Sequence, residues 1–300
     1  MQEKIIYKEF KRKRLDHYLP LIYENYSRSY FQKLNNRQKI FVNSKVILSS
    51  YKLKYGDTIT IDFKNDDNVS KTIPEKMRLD IIYEDNDIII INKQPYTVIC
   101  PCYGHLSGTL LNALIWHANN EYTPYLVHRL DKNTSGTIIF AKNTKSRINI
   151  SKQFQNRSVE KIYYTAVSGT VIEDKGIIEA PLGRSPQNRK IISVNSSAKK
   201  MAITEFQTIK RKHDYTLLKV KIITGRTHQI RSHMKYINHP IIGDQQYGGP
   251  NMIEKKQYKR QVLHSYSITF MHPSTLKTMK FTAKLPNDIK ELFNETKIND

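Results

Sequence analysis

The sequence predicts an α+β protein: one large unit built on a mixed, mostly antiparallel sheet, preceded by a small α/β unit. Three observations carry this. Beyond residue 75, short β-branched and aromatic runs dominate, helical patterns are few, and there is no strand–helix–strand alternation of the kind a parallel sheet needs. Before residue 64, two segments with helical spacing are followed by several short strand patterns, enough for a compact unit of its own. Between them, residues 65–72 are polar and locally acidic (Asp66, Asp67), and Pro74 closes the stretch, which reads as a linker. The expected bounds are 11–64, a linker 65–74, and 75–296; 300 residues suffice for both units.

In the small unit, Ile5–Phe10 reads as a leading strand. Leu15, Tyr18, Leu19 and Ile22 recur at helical spacing, and Ser27 is an expected N-cap for a second helix over Arg28–Leu34. Strands are expected at Ile40–Val42, Val46–Leu48 and Thr58–Phe63, with turns at Asn43-Ser44 and Gly56-Asp57. In the large unit, Leu79–Tyr83 and Ile88–Ile91 read as strands. Four consecutive isoleucines argue for burial on both faces. Helices are expected at Thr109–Ala118, at Thr144–Gln155 capped by Thr144, at Thr227–Ile237 capped by Thr227, and at Asp288–Phe293. Further strands are expected at Thr137–Ala141, Lys161–Val171, Ile177–Glu179, Ala202–Thr208, Tyr215–Ile223, Val262–Met271 and Thr278–Ala283.

The net charge of +22 and a pI near 9.7 imply a polyanionic partner, most economically a nucleic acid. A membrane surface is not expected, because no amphipathic basic helix or lipidation signal accompanies the charge. The excess is concentrated: residues 11–54 hold eleven Lys/Arg against Asp16 and Glu24, a one-signed surface suited to phosphates. Two cysteines, Cys100 and Cys102, are too few for a disulfide framework, and with His105 they lack a usual zinc spacing, so no metal is expected. Met1–Arg14 has no apolar core of a signal peptide and no run reaches a membrane helix, which leads to the expectation of a cytoplasmic protein.

The stretch richest in chemistry is Val127–Gly136. It sets the carboxylate of Asp131 two residues after Arg129 and three after His128. Thr134, Ser135 and Gly136 read as a turn, so Asp131 is expected on a short loop between two buried strands, a common placement for reactive groups. An exposed Asp paired with Arg129 or Lys132 would read the same way. Three other pieces can converge on it: Asn92-Lys93, Lys161-Ile162-Tyr163, and Thr224-Gly225-Arg226-Thr227-His228-Gln229-Ile230-Arg231. A helix start flanked by Arg226 and Arg231 makes an anion site, either for RNA phosphate or for the Asp131 carboxylate. The residues alone define a basic cleft with one carboxylate.

Taken in order, the motifs resemble the RluA/RluD-type pseudouridine synthases over about residues 14–286. They are Asp87–Lys93, His128-Arg129-Leu130-Asp131-Lys132-x-Thr134-Ser135-Gly136, Lys161-x-Tyr163, Thr224–Arg231-x-His233, His239-Pro240-x-x-Gly243-Asp244-x-x-Tyr247-Gly248, Leu263-His264 and His272-Pro273. At the front, Arg14-Leu15-Asp16, Ser27-Arg28-Ser29, Phe41–Val46 and Gly56-Asp57 resemble an S4-like RNA-binding domain, as in the RluD branch. Ser44 replaces the glycine usual in its turn, Gln94 replaces a proline, Cys100 a frequent histidine, and Thr137 a leucine. No chemical group is lost by these departures.

The resemblance implies conversion of uridine to pseudouridine in RNA. A glycosidic C–N bond breaks, the base rotates in place, and a C–C bond forms, without metal or nucleotide cofactor. It implies Asp131 as the nucleophile, Arg231 as its partner and orienter, and Tyr163 packed on the target base. It implies Arg129 filling the gap of the flipped nucleotide, with His128, Lys93, Arg226 and Arg28 orienting or binding phosphate. A carboxylate suits glycosidic chemistry, and a stacked base has to be flipped out to reach it; whether Asp131 adds to ribose or base stays open. The expected substrate is large-subunit ribosomal RNA and the expected state a monomer. Alternatives are a transfer-RNA or other ribosomal site, or a non-catalytic RNA-binding assembly factor that keeps the fold.

Overall fold

The computed structural model describes residues 2–23, 26, 28–63, 72–102, 104–188, 191–194 and 200–294. The expected Ser27 cap and most of the 65–74 linker lie outside them. The chain divides into two compact units, Met1–Thr72 and Ile73–Asp300.

The first unit contains β1 (Gln2–Ile6), α1 (Leu15–Ile22), α2 (Arg28–Asn36), β2 (Ile40–Val42), β3 (Lys45–Val46) and β4 (Thr58–Asp62). The strands form one sheet in the order β1-β4-β2-β3, antiparallel throughout. Tyr7, Leu15, Leu19, Phe31, Leu34, Ile40, Ile59 and Ile61 make its core. The leading strand ends at Ile6, short of the expected Phe10. The chain leaves the sheet where Tyr7 turns inward and its N–H donates to the Asp57 carbonyl at 2.8 Å. Asn43 and Ser44 both adopt positive φ (51° and 62°), the hairpin geometry glycine favours. Ser44 therefore takes the left-handed conformation despite its Cβ. The Asn43 side chain closes the turn onto the Thr58 N–H (2.9 Å) and Asp57 (2.8 Å).

The second unit runs β5 (Ile81–Glu84), β6 (Ile88–Lys93), α3 (Leu110–Ala118), β7 (Tyr125–Leu126), β8 (Ser135–Ala141), α4 (Thr144–Gln155), β9 (Glu160–Ser168), β10 (Lys175–Arg184), β11 (Ile192–Val194), β12 (Met201–Arg211), β13 (Tyr215–Ile222), α5 (Gln229–Tyr236), β14 (Met252–Ile253), β15 (Lys256–Gln257), β16 (Leu263–Met271), β17 (Thr278–Thr282) and α6 (Asn287–Phe293). The main sheet has the order β11-β10-β12-β13-β9-β16-β8-β6-β5, with β17 on β16 and β7 on β8. Among the described residues every pairing is antiparallel except β16 with β8. This is the mixed, mostly antiparallel α+β architecture that the sequence predicts.

The isoleucine run is buried on both faces, as expected. Ile89 and Ile91 enter the main core, while Ile88 and Ile90 pack with Ile139, Ile150 and Phe270 on the other side. Two expected caps differ. Asn143, not Thr144, caps α4, accepting from the Ser146 N–H at 2.9 Å. The α5 start lies at Gln229, preceded by His228 in a left-handed conformation. The Gln229 side chain, not Thr227, closes that turn, its Oε1 accepting from the Thr224 hydroxyl (2.7 Å) and the Arg226 N–H (3.0 Å).

Candidate active site

Asp131 sits between β7 and β8, on a tight turn closed by the Thr134 N–H donating to the Asp131 carbonyl at 3.1 Å. The turn is thus residues 131–134; Ser135 and Gly136, expected in it, already belong to β8. Of the two flanking strands only β8 is fully buried, and β7 is part-exposed. Gly136 (φ 112°) is pressed against β16: a Cβ there would lie 2.1 Å from the Ser265 carbonyl oxygen. Only glycine lets β16 run beside the loop at this distance.

Two buried cations hold the loop from behind. Lys93, at the end of β6, is 1 % exposed, and its three N–H bonds go to the carbonyls of Gln94, Thr97 and Lys132, each at 3.0 Å. Burial pulls its pKa down to about 7, while the three acceptors use every proton of the charged form. Of the two roles expected for Lys93, orienting or binding phosphate, this geometry favours the first: with its donors engaged inside the protein, it holds the loop. Arg260 donates to the Asn133 carbonyl at 3.0 Å and to Asp288 at 2.6 and 2.9 Å. Gln261 adds a bond to the Thr134 hydroxyl at 3.3 Å.

In front of the loop, Arg231 from the first turns of α5 reaches two carboxylates. Its Nε and Nη2 donate to Asp244 at 2.6 and 2.8 Å, and Nη1 donates to Asp131 Oδ2 at 3.2 Å. Nη2 also donates to Gln246 (2.8 Å), and the guanidinium lies 4.7 Å from the Tyr247 ring centre. Burial opposes this charge, but the hydrogen bonds and charges of Asp244 and Asp131 raise its pKa. His228 Nε2 stands 3.8 Å from Asp131 Oδ2, and its Nδ1 meets the Tyr247 hydroxyl at 2.9 Å. Burial lowers the His228 pKa.

Tyr163, on β9, faces the same cavity and is nearly buried. Burial pushes its phenol up to about 12 despite a hydrogen bond with Ser265, so it stays neutral near pH 7. A pocket of about 80 Å³ is bounded by Asp131, Tyr163, Arg231, His228 and Leu263 among others. It shares Arg129, Tyr163, Ile222, Gly225 and Arg226 with an adjoining cavity of about 480 Å³.

The structure thus gathers Asp131, Tyr163, Arg231, Arg129 and Arg226 around one cleft; Arg129 and Arg226 are exposed at its rim, the latter donating to the Met201 carbonyl at 3.3 Å. His128 is turned inward, its Nε2 accepting from the Ile139 N–H at 3.0 Å and its ring stacked on Phe154. Burial and the nearby Lys161 push it down to about 3, so it is a neutral prop rather than a phosphate ligand. Arg28 belongs to the N-terminal unit, where it donates to Asp16 at 2.9 and 3.0 Å. Asp244, Arg260, His228 and Tyr247 were not among the expected site residues. Asp244, His228 and Tyr247 stand inside motifs quoted above, whereas Arg260 follows Lys255, Lys256 and Lys259 with nothing to distinguish it from them.

One trio, Asp85, Asp87 and His272, could hold an ion by distance among the described residues. Each of its three groups is already hydrogen-bonded within the protein. His272 Nδ1 accepts the N–H groups of Ser274 and Thr275, so Nε2 donates to Asp85 (2.8 Å), and Asp87 accepts from Ser146 and Asn143. The trio ties the β5–β6 turn to β16 and α4.

The family model described as RNA pseudouridylate synthase matches residues 87–236, which span Asp131, Tyr163 and Arg231. The chain belongs to the RNA pseudouridylate synthase family. An uncharacterized RNA pseudouridine synthase of Bacillus subtilis is 36 % identical over 297 residues, 97 % of this chain and 96 % of that one. The ribosomal large subunit pseudouridine synthase D of Blochmanniella floridana is 36 % identical over 299 residues, 93 % of each chain. Among solved structures, human RNA pseudouridylate synthase domain containing 1 shares the fold, with a TM-score of 0.58 at 23 % identity over 70 % of this chain and 84 % of that one. The protein is therefore an isomerase acting on RNA, as the order of motifs implies. No described helix is long and apolar enough to cross a membrane.

Proposed function

We propose that this enzyme converts specific uridines of large-subunit ribosomal RNA to pseudouridine, with Asp131 as the nucleophile. The observation that carries the chemistry is the unequal sharing of Arg231. Asp244 takes two short bonds from it, and Asp131 takes one longer bond through Oδ2 while lining the cleft. A carboxylate fixed by one edge against a guanidinium, with its other oxygen left free of that bond, is suited to attack or to stabilise positive charge at a sugar carbon. The ribosomal substrate is supported by the full-length similarity to proteins named ribosomal large subunit pseudouridine synthase D.

In this reading Tyr163 packs against the extruded base. Its neutral phenol moves the C5 proton only by giving up its own as it takes another. Arg129 fills the gap left by the flipped nucleotide, and Arg226 meets a phosphate. The isomerisation is balanced without a co-reactant: the N1–C1′ bond breaks, C5–C1′ forms, and the proton leaving C5 is matched by one gained at N1. Residues 11–64 act as an S4-like RNA-binding domain. There Asp16 gathers Arg14 and Arg28, and the strong positive excess of the segment faces phosphates. The enzyme works as a monomer in the cytoplasm.

The test is pseudouridine mapping of ribosomal and transfer RNA in cells lacking the gene, complemented with the wild-type chain or with Asp131→Asn. Conversion of defined ribosomal uridines by the wild type alone is the expected result. Conversion confined to transfer RNA would replace the substrate. No difference at any site would leave an RNA-binding assembly factor.

A further inference from the structure

We propose, building on the reading of this cleft as an RNA active site, that the 480 Å³ cavity beside the Asp131 pocket binds the base of a second nucleotide flanking the target uridine, with Lys161 as its hydrogen-bond donor. Lys161 lies on β9 two residues before Tyr163, so the two side chains project from the same face of the sheet. It lines the cavity and is 8 % exposed. No carboxylate among the described residues pairs with it, and burial alone pulls its pKa down to about 8. A buried ammonium without an anion or a set of acceptors is costly, and Lys93, on β6, shows how this fold satisfies one with three carbonyls. Among the described residues Lys161 has only the Phe154 ring, 5.5 Å away.

The chemistry of the walls selects the ligand. Among the described residues the cavity has no acidic lining residue. Its inner wall holds the stacked rings of Phe154 and His128 (4.8 Å between centres), and its exposed rim holds Arg129, Arg157 and Arg226. Aromatic surface inside and guanidinium groups at the mouth match a nucleotide entering base first, its phosphate left outside. A phosphate alone would gain nothing from the rings. The Lys161 ammonium then donates to a base carbonyl oxygen or ring nitrogen, as lysine does to guanine O6 and N7. Because this cavity shares Tyr163 and Arg129 with the Asp131 pocket, the nucleotide that occupies it is a close neighbour of the one in the pocket.

The test is a binding experiment that needs no turnover. All variants carry Asp131→Asn, and the probe is the ribosomal RNA fragment that this chain retains, whether or not the wild type converts a uridine in it. Abasic sites are introduced one nucleotide at a time. Adding Lys161→Met is expected to weaken binding about tenfold. At one position the abasic site should cost about tenfold more with Lys161 present than in the Lys161→Met variant, where the donor is already gone and only the ring contacts are left to lose. Lys161→Gln, which keeps a donor, is expected to recover part of the loss. Melting curves check the fold: Lys161→Met should be at least as stable as its parent, because it removes a buried charge. Equal affinity of folded Lys161→Met and its parent, or abasic costs that multiply with the Lys161→Met cost at every position, would overturn the proposal. Neither result bears on Asp131 as nucleophile, which the mapping experiment decides.

Discussion

The two units each contain an arginine–aspartate cluster, and the two clusters are built with opposite surpluses. In the N-terminal unit one carboxylate serves two guanidinium groups: Asp16, with no exposed side-chain surface, accepts from Arg14, Arg28 and Gln32. The arginines are about half exposed, so the uncompensated charge is positive and faces outward. In the catalytic unit one guanidinium serves two carboxylates. Arg231 and Asp244 are both nearly buried, while Asp131 keeps 19 % of its side chain exposed, so within this cluster the carboxylate is in excess, and it faces the cleft. The difference shows how one ion-pair chemistry serves two ends. In the proposed function, the group left in excess, and nearer to water, is the group offered to RNA: arginine to a phosphate, aspartate to the target nucleotide.

The sharpest break of this comparison is Asp131→Asn. It should lower turnover by about a thousandfold or more while leaving the fold and RNA affinity in place, as removal of a nucleophile does; single-turnover conversion and filter binding measure the two separately. Asp244→Ala should come next. It leaves Arg231 buried with only its weaker carboxylate partner, and urea unfolding should report a loss of about 3 kcal/mol. Activity should fall as well, because the freed guanidinium is drawn onto Asp131.

A smaller effect is expected at Asp16. Burial pushes its carboxyl up, but hydrogen bonds from Arg14, Gln32 and Arg28 overcome that and hold it well below the usual carboxylate range. A depressed carboxylate contributes stability above its unfolded pKa of about 4 and loses it as pH falls toward the folded value. Asp16→Asn should therefore be less stable than wild type at pH 7, with the gap in melting temperature closing as pH falls below about 4. The smallest effect is Arg28→Ala, which should leave turnover at saturating RNA unchanged and reduce the slope of log affinity against log salt by about one. An unchanged slope would remove Arg28 from the RNA surface and weaken the contrast drawn above.

The order of elements was largely legible. The Ile88–Ile91 run reads as a doubly buried strand because four β-branched residues in succession have no solvent face, and it is one. Element ends were less so. Thr144 and Thr227 look like caps, yet Asn143 and the Gln229 side chain close those turns, since several polar neighbours compete for the same N–H groups. Gly136 looks like a turn residue and is instead a strand residue pressed against β16, where it meets Ser265 from far along the chain.

What the sequence alone determined is the family and the fold class, and it singled out the candidate carboxylate. These rest on local patterns: strand and helix periodicity, and short motifs whose order survives without knowing where they meet. What only the tertiary structure decided is the state and job of each charge. Lys93, Lys161, Arg231 and Arg260 are four basic letters in a chain rich in them. Folding commits Lys93 to three carbonyls and Arg260 to the loop behind Asp131, divides Arg231 between two carboxylates, and leaves Lys161 in a cavity without an anion among the described residues. The reason is physical: the cost of a buried charge depends on which partners lie within a few ångströms, and those partners come from strands and loops far apart in sequence.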